Sequence, residues 1–258
     1  RLLHPDERGC GLRALGGSLM QETFANHGLS GTVLQSHVHW DHIQGFPFWP
    51  HVYLPRDGFK NHFNFFGGKD WDKSLQDVLR GQMEHPVFPV DLAEINRVGL
   101  QMDFNSVWDG WTHRVLAKNG EVVIRCRKLN HPQETYGYRI EYKGRVVVYT
   151  TDHEPYGGDA LHRPLVELVA DADVWITDCQ YSWHEYTGNG GKPQKLGWGH
   201  SYPEYVAKIA QAAKPKRVLT FHHDPAASDS RIVSLAETAE TLSEIQTEPA
   251  FEGLIITL

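Results

Sequence analysis

Hydrophobic and polar positions along the chain repeat with two periods, one typical of helices and one typical of strands. Apolar residues three to four positions apart predict helices at 13–26, 71–83, 159–170, 201–213 and 232–242. Alternating or continuous apolar runs predict strands at 31–36, 121–127, 136–142, 145–150, 174–177, 217–221 and 254–258. Strands interleaved with helices in two similar halves predict an α/β fold. We expect an αββα four-layer sandwich, with two sheets face to face and helices outside.

Two local features refine this outline. Ser201 is expected to cap the helix that follows it, with Glu204 reaching back to the Ser201 N–H. The stretch 47–91 breaks up into aromatics, glycines and prolines. It is predicted to be an elaborated loop that covers a site, and not part of the core. Residues 59–109 are expected to form a lid or insertion region. The whole chain, 1–258, is expected to form a single domain.

Composition and charge narrow the class of partner. The 258 residues carry a formal net charge of -7, which argues against salt-driven binding to a nucleic-acid backbone. We therefore expect no stable nucleic-acid partner. No stretch approaches the roughly 18 consecutive apolar residues that span a bilayer, so no membrane partner is expected.

The cysteines indicate a reducing compartment. Cys10, Cys126 and Cys179 are far apart and form no Cys-x-x-Cys pair, so a cytoplasmic location is expected. Cys126 and Cys179 lie in apolar runs and are predicted to be buried thiols. The first residue is Arg1 and not Met. The chain is therefore expected to be a piece whose true start, with any targeting signal, lies outside it.

The strongest chemical feature is the histidine-rich segment 36–42, directly after a predicted strand. Imidazole and carboxylate groups are ligands of zinc, iron and similar ions. Side chains alternate in an extended segment, so His37 and His39 point the same way and can bind one ion together. Asp41 and His42 follow where the chain turns, and they can reach a second ion. The alternative is a chance cluster on a solvated loop.

Three more candidates share one context, a polar residue at the exit of a predicted buried strand. They are His131, Asp152 and His222. An acid such as Asp152 is costly at this position without a partner or a metal. Sites of layered α/β folds collect at strand ends. Each residue alone is more often structural, but together with segment 36–42 they predict a metal site.

The spacing His-x-His-x-Asp-His after a strand is the signature of the metallo-β-lactamase superfamily, and the chain resembles this family over about residues 1–230. Further matching stretches are Gly11–Gly16, His39–Phe48, Leu129–Pro132, Tyr136–Glu141, Val148–Asp152, Gly197–Ser201 and Phe221–Pro225. They look like a bacterial branch related to ribonuclease Z and to cyclic phosphodiesterases. The resemblance implies the metallo-β-lactamase fold, and we expect its N-terminal strands to be truncated here.

The resemblance also implies a dinuclear metal centre. Its ligands would be His37, His39 and His131 for the first ion, Asp41, His42 and His222 for the second, and Asp152 as the bridge. Two divalent ions are expected, zinc first, with manganese or iron as alternatives that suit the same donors. The implied chemistry is metal activation of water, with Asp41 orienting that water.

His200 matches a histidine that approaches the scissile phosphate in the ribonuclease Z branch. It stands just before a predicted helix, where anions are favoured, and we expect it to bind phosphate or act as a general acid. The alternative is a histidine that only bonds the backbone where the helix begins. His223 neighbours His222, and the choice of His222 as the ligand rests on the family pattern alone.

These features predict a metal-dependent hydrolase, and more specifically a phosphodiesterase for a small, nucleotide-like diester, cyclic esters included. Hydrolysis of another ester, such as a lactone or a sulfate ester, is a second interpretation. A non-catalytic di-metal sensor domain is a third. His39 argues against the sensor, because the oxygen-binding branch of the superfamily usually has Glu there. The oligomeric state stays open, with a homodimer as one option.

Overall fold

Two α/β units make up the part of the chain that the structure describes. The computed structural model describes residues 11–55, 57–69, 71–98, 100–117, 119–157, 161–189, 191 and 193–258. The units are Arg1–Val107 and Trp108–Leu258, called here the N-terminal and the C-terminal unit. Cys10 lies outside the described residues.

The N-terminal unit has a three-stranded parallel sheet. Its helices and strands are α1 Gly11–Ala25, β1 Ser30–Leu34, α2 Trp40–Ile43, β2 His62–Gly67, α3 Leu75–Gly81, α4 Leu92–Val98 and β3 Gln101–Ser106. Two short 3₁₀ turns, Phe46–Phe48 and Pro50–Tyr53, follow α2. The strand order is β1-β2-β3, so all three strands end at the same edge. The histidine-rich segment leaves that edge directly after β1.

Residues 59–107 contribute to the core of the N-terminal unit, so the expectation that the stretch 47–91 is a loop outside the core is wrong. They supply β2, α3, α4 and β3. Phe63, Phe65 and Met83 are at most 2% exposed and pack in one apolar cluster with Trp49. The predicted helix 71–83 is shorter than expected. It begins after Ser74, whose side chain accepts the N–H of the residue three positions on in a capping box. A role of this segment as a lid stays a prediction.

The C-terminal unit has a seven-stranded mixed sheet. Its strands are β4 Thr112–Ala117, β5 Gly120–Leu129, β6 Thr135–Tyr142, β7 Arg145–Thr150, β8 Val174–Asp178, β9 Val218–Phe221 and β10 Thr247–Pro249. Its helices are α5 Arg163–Val169, α6 Trp183–Thr187, α7 Pro203–Ala213 and α8 Asp229–Ser243. The strand order is β10-β9-β8-β7-β6-β5-β4. Apolar residues of α5, α7 and α8 pack with Val148, Trp175 and Val218 of the sheet in one buried cluster.

The directions of the strands decide where their exits lie. Strands β4 to β7 are antiparallel neighbours, whereas β7, β8, β9 and β10 are parallel. Strand β5 is separated from β7 by one antiparallel strand, so β5 and β7 run the same way. Strands β5, β7, β8 and β9 therefore all end at one edge of the sheet. His131, Asp152 and His222 follow three of these strands, and Asp178 is the last residue of the fourth.

Three boundaries differ from the sequence predictions. Helix α7 begins after Tyr202, whose side chain makes no capping hydrogen bond, and not after Ser201 as predicted. The Ser201 hydroxyl donates instead to the His153 carbonyl oxygen at 2.5 Å. Residues 254–258 form no strand, and Ile255 is 89% exposed. The predicted helix 159–170 is observed as Arg163–Val169, and residues 158–160 lie outside the described part.

The predicted buried thiols are confirmed for two cysteines. Cys126 and Cys179 are free and buried. Burial raises the pKa of the Cys126 thiol to about 12 and raises the pKa of Cys179 as well, because the thiolate loses its hydration. Both thiols therefore stay protonated at neutral pH, that of Cys126 within β5 and that of Cys179 directly after β8.

Candidate metal centre

Four of the predicted ligands gather in the N-terminal unit, just beyond β1. The His37 Nε2 and His39 Nδ1 atoms are 3.1 Å apart, and the His37 and His42 ring centroids are 4.2 Å apart. The His42 Nε2 lies 3.2 Å from the Asp41 Oδ2. His37 and His42 are 2% and 3% exposed. Three imidazoles and one carboxylate are thus held within a small volume.

The chain around this cluster fixes its shape. After β1, the Gln35 side-chain amide donates to the carbonyl oxygens of His37 at 2.7 Å and of His42 at 3.4 Å. The Ser36 hydroxyl lies 3.2 Å from the His37 Nδ1. A partner on one ring nitrogen sets the orientation of the ring, so the His37 Nε2 faces the cluster. The short helix α2 then turns the chain so that Asp41 and His42 follow.

A second cluster surrounds Asp152 in the C-terminal unit. Its Oδ2 is 4.0 Å from the His131 Nε2, and its Oδ1 is 3.4 Å from the His222 Nε2. Asp152 is 1% exposed. Asp152 and His222 have φ angles of +47° and +54°, in the left-handed region that few non-glycine residues adopt. Such strain is held in place by surrounding structure and concentrates at functional sites.

Each histidine of this second cluster has a partner on its other nitrogen. The His131 Nδ1 lies 3.0 Å from the carbonyl oxygen of Gly199, and the His222 Nδ1 lies 3.2 Å from the Gln180 side-chain nitrogen. A carbonyl oxygen can only accept, so the His131 Nδ1 carries the proton. The His131 Nε2 is then a lone-pair donor directed towards Asp152, the tautomer that a metal ligand needs.

His200 lies against the same cluster. Its ring stacks on His222 with centroids 4.8 Å apart and a 13° angle. One ligand atom each of Asp152, His200 and His222 lie within 4.8 Å of one another. The His200 Nδ1 is 2.9 Å from Asp178 Oδ2, and the other oxygen of Asp178 accepts the Ser201 N–H at 3.0 Å. Asp178 is fully buried, so these bonds stabilise its charge and fix the His200 ring.

Glu154 fixes the loop that precedes His200. Its Oε1 accepts the Tyr186 hydroxyl and the Gly197 N–H, both at 2.7 Å, and its Oε2 accepts the Gly199 N–H at 3.0 Å. Gly199 has a φ of +86°, and a Cβ placed there would lie 2.0 Å from the His131 Nδ1. Glycine is therefore required at position 199, both by the backbone and by the approach of His131.

Neighbouring titratable groups stay neutral because they are buried. Burial lowers the pKa of His153 to about 4, so this histidine adds no positive charge beside Asp152. Burial also raises the pKa of the Tyr181 phenol above its ordinary value. The Tyr181 ring meets His200 edge to face, with centroids 5.9 Å apart.

The donor sets of both clusters suit divalent metal ions. Imidazole nitrogen and carboxylate oxygen are the donors that zinc, manganese and iron accept. In the C-terminal cluster, the buried Asp152 carboxylate faces the His222 Nε2 at 3.4 Å and the His131 Nε2 at 4.0 Å. A cation among these atoms would compensate for the burial of the Asp152 charge.

Sequence patterns alone do not identify three residues that support the clusters, namely Glu154, Asp178 and Gln180. Asp178 has the clearest sequence signal of the three, because it is an acidic residue at the end of a buried strand, and Asp152 also lies at such a strand end. Gln180 has no such signal. Glu154 was hidden because its partners are 32 to 45 positions away in the chain.

Comparison with known proteins places the chain in a family. The profile of the family described as "Beta-lactamase superfamily domain" matches residues 26–223. Ribonuclease BN of Cronobacter sakazakii is 24% identical, and the match covers 79% of this chain and 74% of that protein. Ribonuclease Z of Thermoplasma volcanium is 29% identical, and the match covers 53% of this chain and 39% of that protein. Among solved structures, a diphosphatase from the PhnP family has a TM-score of 0.58 at 16% identity, covering 94% of this chain and 76% of its own.

The family match spans most of the chain, so the protein belongs to the metallo-β-lactamase superfamily. It is a metal-dependent hydrolase with the metallo-β-lactamase fold, which confirms the predicted family, the predicted fold class and the predicted enzyme class. The fold implies divalent metal ions, and the histidine–aspartate clusters are consistent with them. In the part of the chain that the structure describes, no helix is long and apolar enough to cross a membrane.

Proposed function

We propose that the protein is a dinuclear phosphodiesterase that hydrolyses small, nucleotide-like diesters, cyclic ones included. His37, His39 and His131 would hold one metal ion, Asp41, His42 and His222 would hold the other, and Asp152 would contribute its carboxylate to both. The proposal is supported by the family pattern and by the way each cluster gathers its donor atoms around buried carboxylate and imidazole groups.

The observation that carries the proposal is that His200 lies beside Asp152 and His222 while its Nδ1 is hydrogen-bonded to Asp178. Asp178 accepts a hydrogen bond from the His200 Nδ1, which leaves Nε2 as the nitrogen that can carry a transferable proton. His200 is therefore suited to bind a phosphoryl oxygen and to protonate the departing alkoxide. A hydrolase of neutral lactones has less need of such a group, because a phosphate diester is anionic.

The remaining chemistry is divided between the metal ions and Asp41. When bound, two divalent ions polarise a phosphoryl oxygen and lower the pKa of water. The Asp41 carboxylate accepts a hydrogen bond from the attacking water and orients it. The side chain of Asp41 is 45% exposed, so water can reach it.

The test is a substrate screen on the metal-loaded chain. We expect hydrolysis of bis(p-nitrophenyl) phosphate and of at least one cyclic or linear nucleotide diester. A sulfate ester and a lactone, offered in the same screen, should react far more slowly. A metal-loaded chain that cleaves no phosphodiester would contradict the proposal. Faster cleavage of the lactone or the sulfate ester would favour the second interpretation, and full metal content with no turnover of any ester would favour a sensor.

A matched pair of histidine variants tests the role of His200. His200→Ala removes the proton donor, so we expect kcat for the diester to fall about 10²–10⁴-fold while the metal content stays near that of the wild type. His184→Ala is the control, since His184 is exposed on the short helix α6. Equal kcat values for the two variants would exclude His200 as the proton donor.

RNA cleavage is the second candidate, because both curated relatives compared above are named ribonucleases. It involves the same class of bond, a phosphodiester, so it differs in substrate size rather than chemistry. The net charge of -7 favours the small substrate. A short RNA in the same screen decides the matter. Preferential cleavage of the RNA over every small diester would favour this candidate.

A further inference from the structure

Trp198 stands exposed on a loop whose backbone is fixed. It is 53% exposed, although indole is among the largest apolar groups. Gly197 and Gly199, on either side of it, both donate their N–H to the buried Glu154 carboxylate. Both glycines have φ above +80°, a conformation that other residues rarely adopt. The loop therefore holds the indole out towards solvent on a rigid support.

A lysine lies on this indole. The Lys195 ammonium is 3.6 Å from the centroid of the Trp198 ring, and the backbone N–H of Trp198 donates to the Lys195 carbonyl oxygen at 3.1 Å. The backbone N–H of Lys195 in turn bonds the Tyr186 carbonyl oxygen at 3.0 Å. One face of the indole is thus covered by a cation, and the exposed remainder of the ring can receive a second planar group.

This surface adjoins the candidate active site. Trp198 and His200 are two positions apart, so their Cα atoms are separated by at most about 7 Å. The Lys195 ammonium is also 5.7 Å from the Tyr181 ring, whose edge-to-face partner is His200. A ligand that presents phosphate to His200 therefore has Trp198 and Lys195 within the length of one nucleotide.

We propose that Trp198 and Lys195 form a nucleotide-recognition subsite, in which a nucleobase stacks on the exposed indole and the lysine adds positive charge near the phosphate. The inference rests on the proposed function, since it assumes that phosphate binds at His200. Every nucleobase has a π-face, so stacking on Trp198 selects nucleotides over other phosphate esters without choosing strongly among bases. The rigid loop lowers the entropic cost of forming the stack.

Equilibrium dialysis tests the subsite without requiring turnover. The probes are AMP and ribose 5-phosphate, which share the sugar and the phosphate and differ by the base. Both are monoesters, so binding is measured apart from diester hydrolysis. Using the metal-loaded full chain, we expect Trp198→Leu to weaken AMP binding by at least about fivefold and to leave ribose 5-phosphate unchanged. Trp198→Phe keeps an aromatic ring and should restore most of the AMP affinity.

Matched variants separate the subsite from a general change of structure. Trp108→Leu replaces another exposed indole of the same unit, 61% exposed, and should leave AMP binding unchanged. Lys195→Met should weaken both probes, whereas Lys143→Met, which also removes a cation lying over an aromatic ring, should weaken neither. The subsite is excluded if the wild type binds AMP no more tightly than ribose 5-phosphate, or if Trp198→Leu weakens both probes equally. A chain that binds AMP through Trp198 yet cleaves no diester would keep the subsite and overturn the proposed function.

Discussion

Replacing Gly199 by alanine tests whether His131 is held where a metal ligand must be. The new Cβ would lie 2.0 Å from the His131 Nδ1 and 2.6 Å from the Pro132 Cδ, so the histidine or the loop has to move. Gly197→Ala is the matched control, because Gly197 has a nearly equal φ of +83° and nothing lies within 4 Å of its added Cβ. The difference between the two variants therefore reports the push on His131 and not the strain of the backbone.

The magnitudes follow from these contacts. A left-handed φ costs a non-glycine residue about 1–2 kcal/mol, and this cost applies to both variants. Gly199→Ala also disturbs the hydrogen bond between His131 and the Gly199 carbonyl oxygen, worth about 1 kcal/mol, and overpacks the site by about 1–3 kcal/mol. We expect Gly199→Ala to lower the free energy of unfolding of the metal-free chain by about 2–4 kcal/mol more than Gly197→Ala.

Two assays check this prediction. Urea unfolding of the metal-free chains, followed by circular dichroism, gives the difference in stability. Elemental analysis of the metal-loaded chains gives the metal content, which should fall in Gly199→Ala and stay near that of the wild type in Gly197→Ala. Equal stability and equal metal content in the two variants would refute the placement of His131 and its assignment as a ligand.

Three further predictions concern the C-terminal unit. In the wild type, the Glu154 carboxylate accepts the Gly197 and Gly199 N–H groups, and Glu154→Gln places an amide NH₂ against one of these donors. We expect the free energy of unfolding in urea to fall by about 1–3 kcal/mol, and an unchanged midpoint would contradict this. The hydrogen bond from Lys216 lowers the pKa of Asp173 to about 2, so Asp173→Asn should destabilise the chain at neutral pH. The gap in free energy of unfolding between wild type and variant should close as pH falls from about 4 towards 2, because the wild-type carboxylate then becomes protonated. A gap that stays constant over this range would exclude the charge as its cause. Cys126 and Cys179 should resist iodoacetamide at pH 8 in the folded chain and react in urea, as read by peptide mass mapping.

The sequence was sufficient to predict the strand exits. Alternating and continuous apolar runs mark β5, β7 and β9, and the polar residues that follow them are visible without a structure. Once the strand order is known, His131, Asp152 and His222 must share an edge, because those strands run in one direction. Local pattern and sheet geometry together were enough for this part of the site.

The burial of strand β2 is hard to predict because the stretch 47–91 around it has the composition of a loop. Phe63 and Phe65 alternate with His62 and Asn64, which is the period of a strand with one buried face. That signal was present in the sequence. The surrounding glycines and prolines obscured it, since they indicate a loop when they are counted over the whole segment.

Other features depend on partners that no local pattern shows. Ser201 has the sequence context of a helix cap, but its hydroxyl donates a hydrogen bond to the carbonyl oxygen of His153, 48 positions away. The run Leu254–Leu258 has the composition of a strand, yet a strand also needs a neighbour to bond, and Ile255 remains exposed. Glu154 is recognisable as a support only when the loop of Gly197 and Gly199 is seen to fold onto it.

The metal content of Asp152→Asn tests the central claim most directly. Asp152 is the proposed bridge between the two ions, so its loss should affect both. Elemental analysis of the metal-loaded chains should give about two divalent ions per wild-type chain and well under half of that for Asp152→Asn. Asp173→Asn is the control and should bind the full amount, because the wild-type Asp173 carboxylate accepts a hydrogen bond from Lys216 and not from a predicted ligand. An Asp152→Asn chain that retains the wild-type metal content would contradict the dinuclear centre.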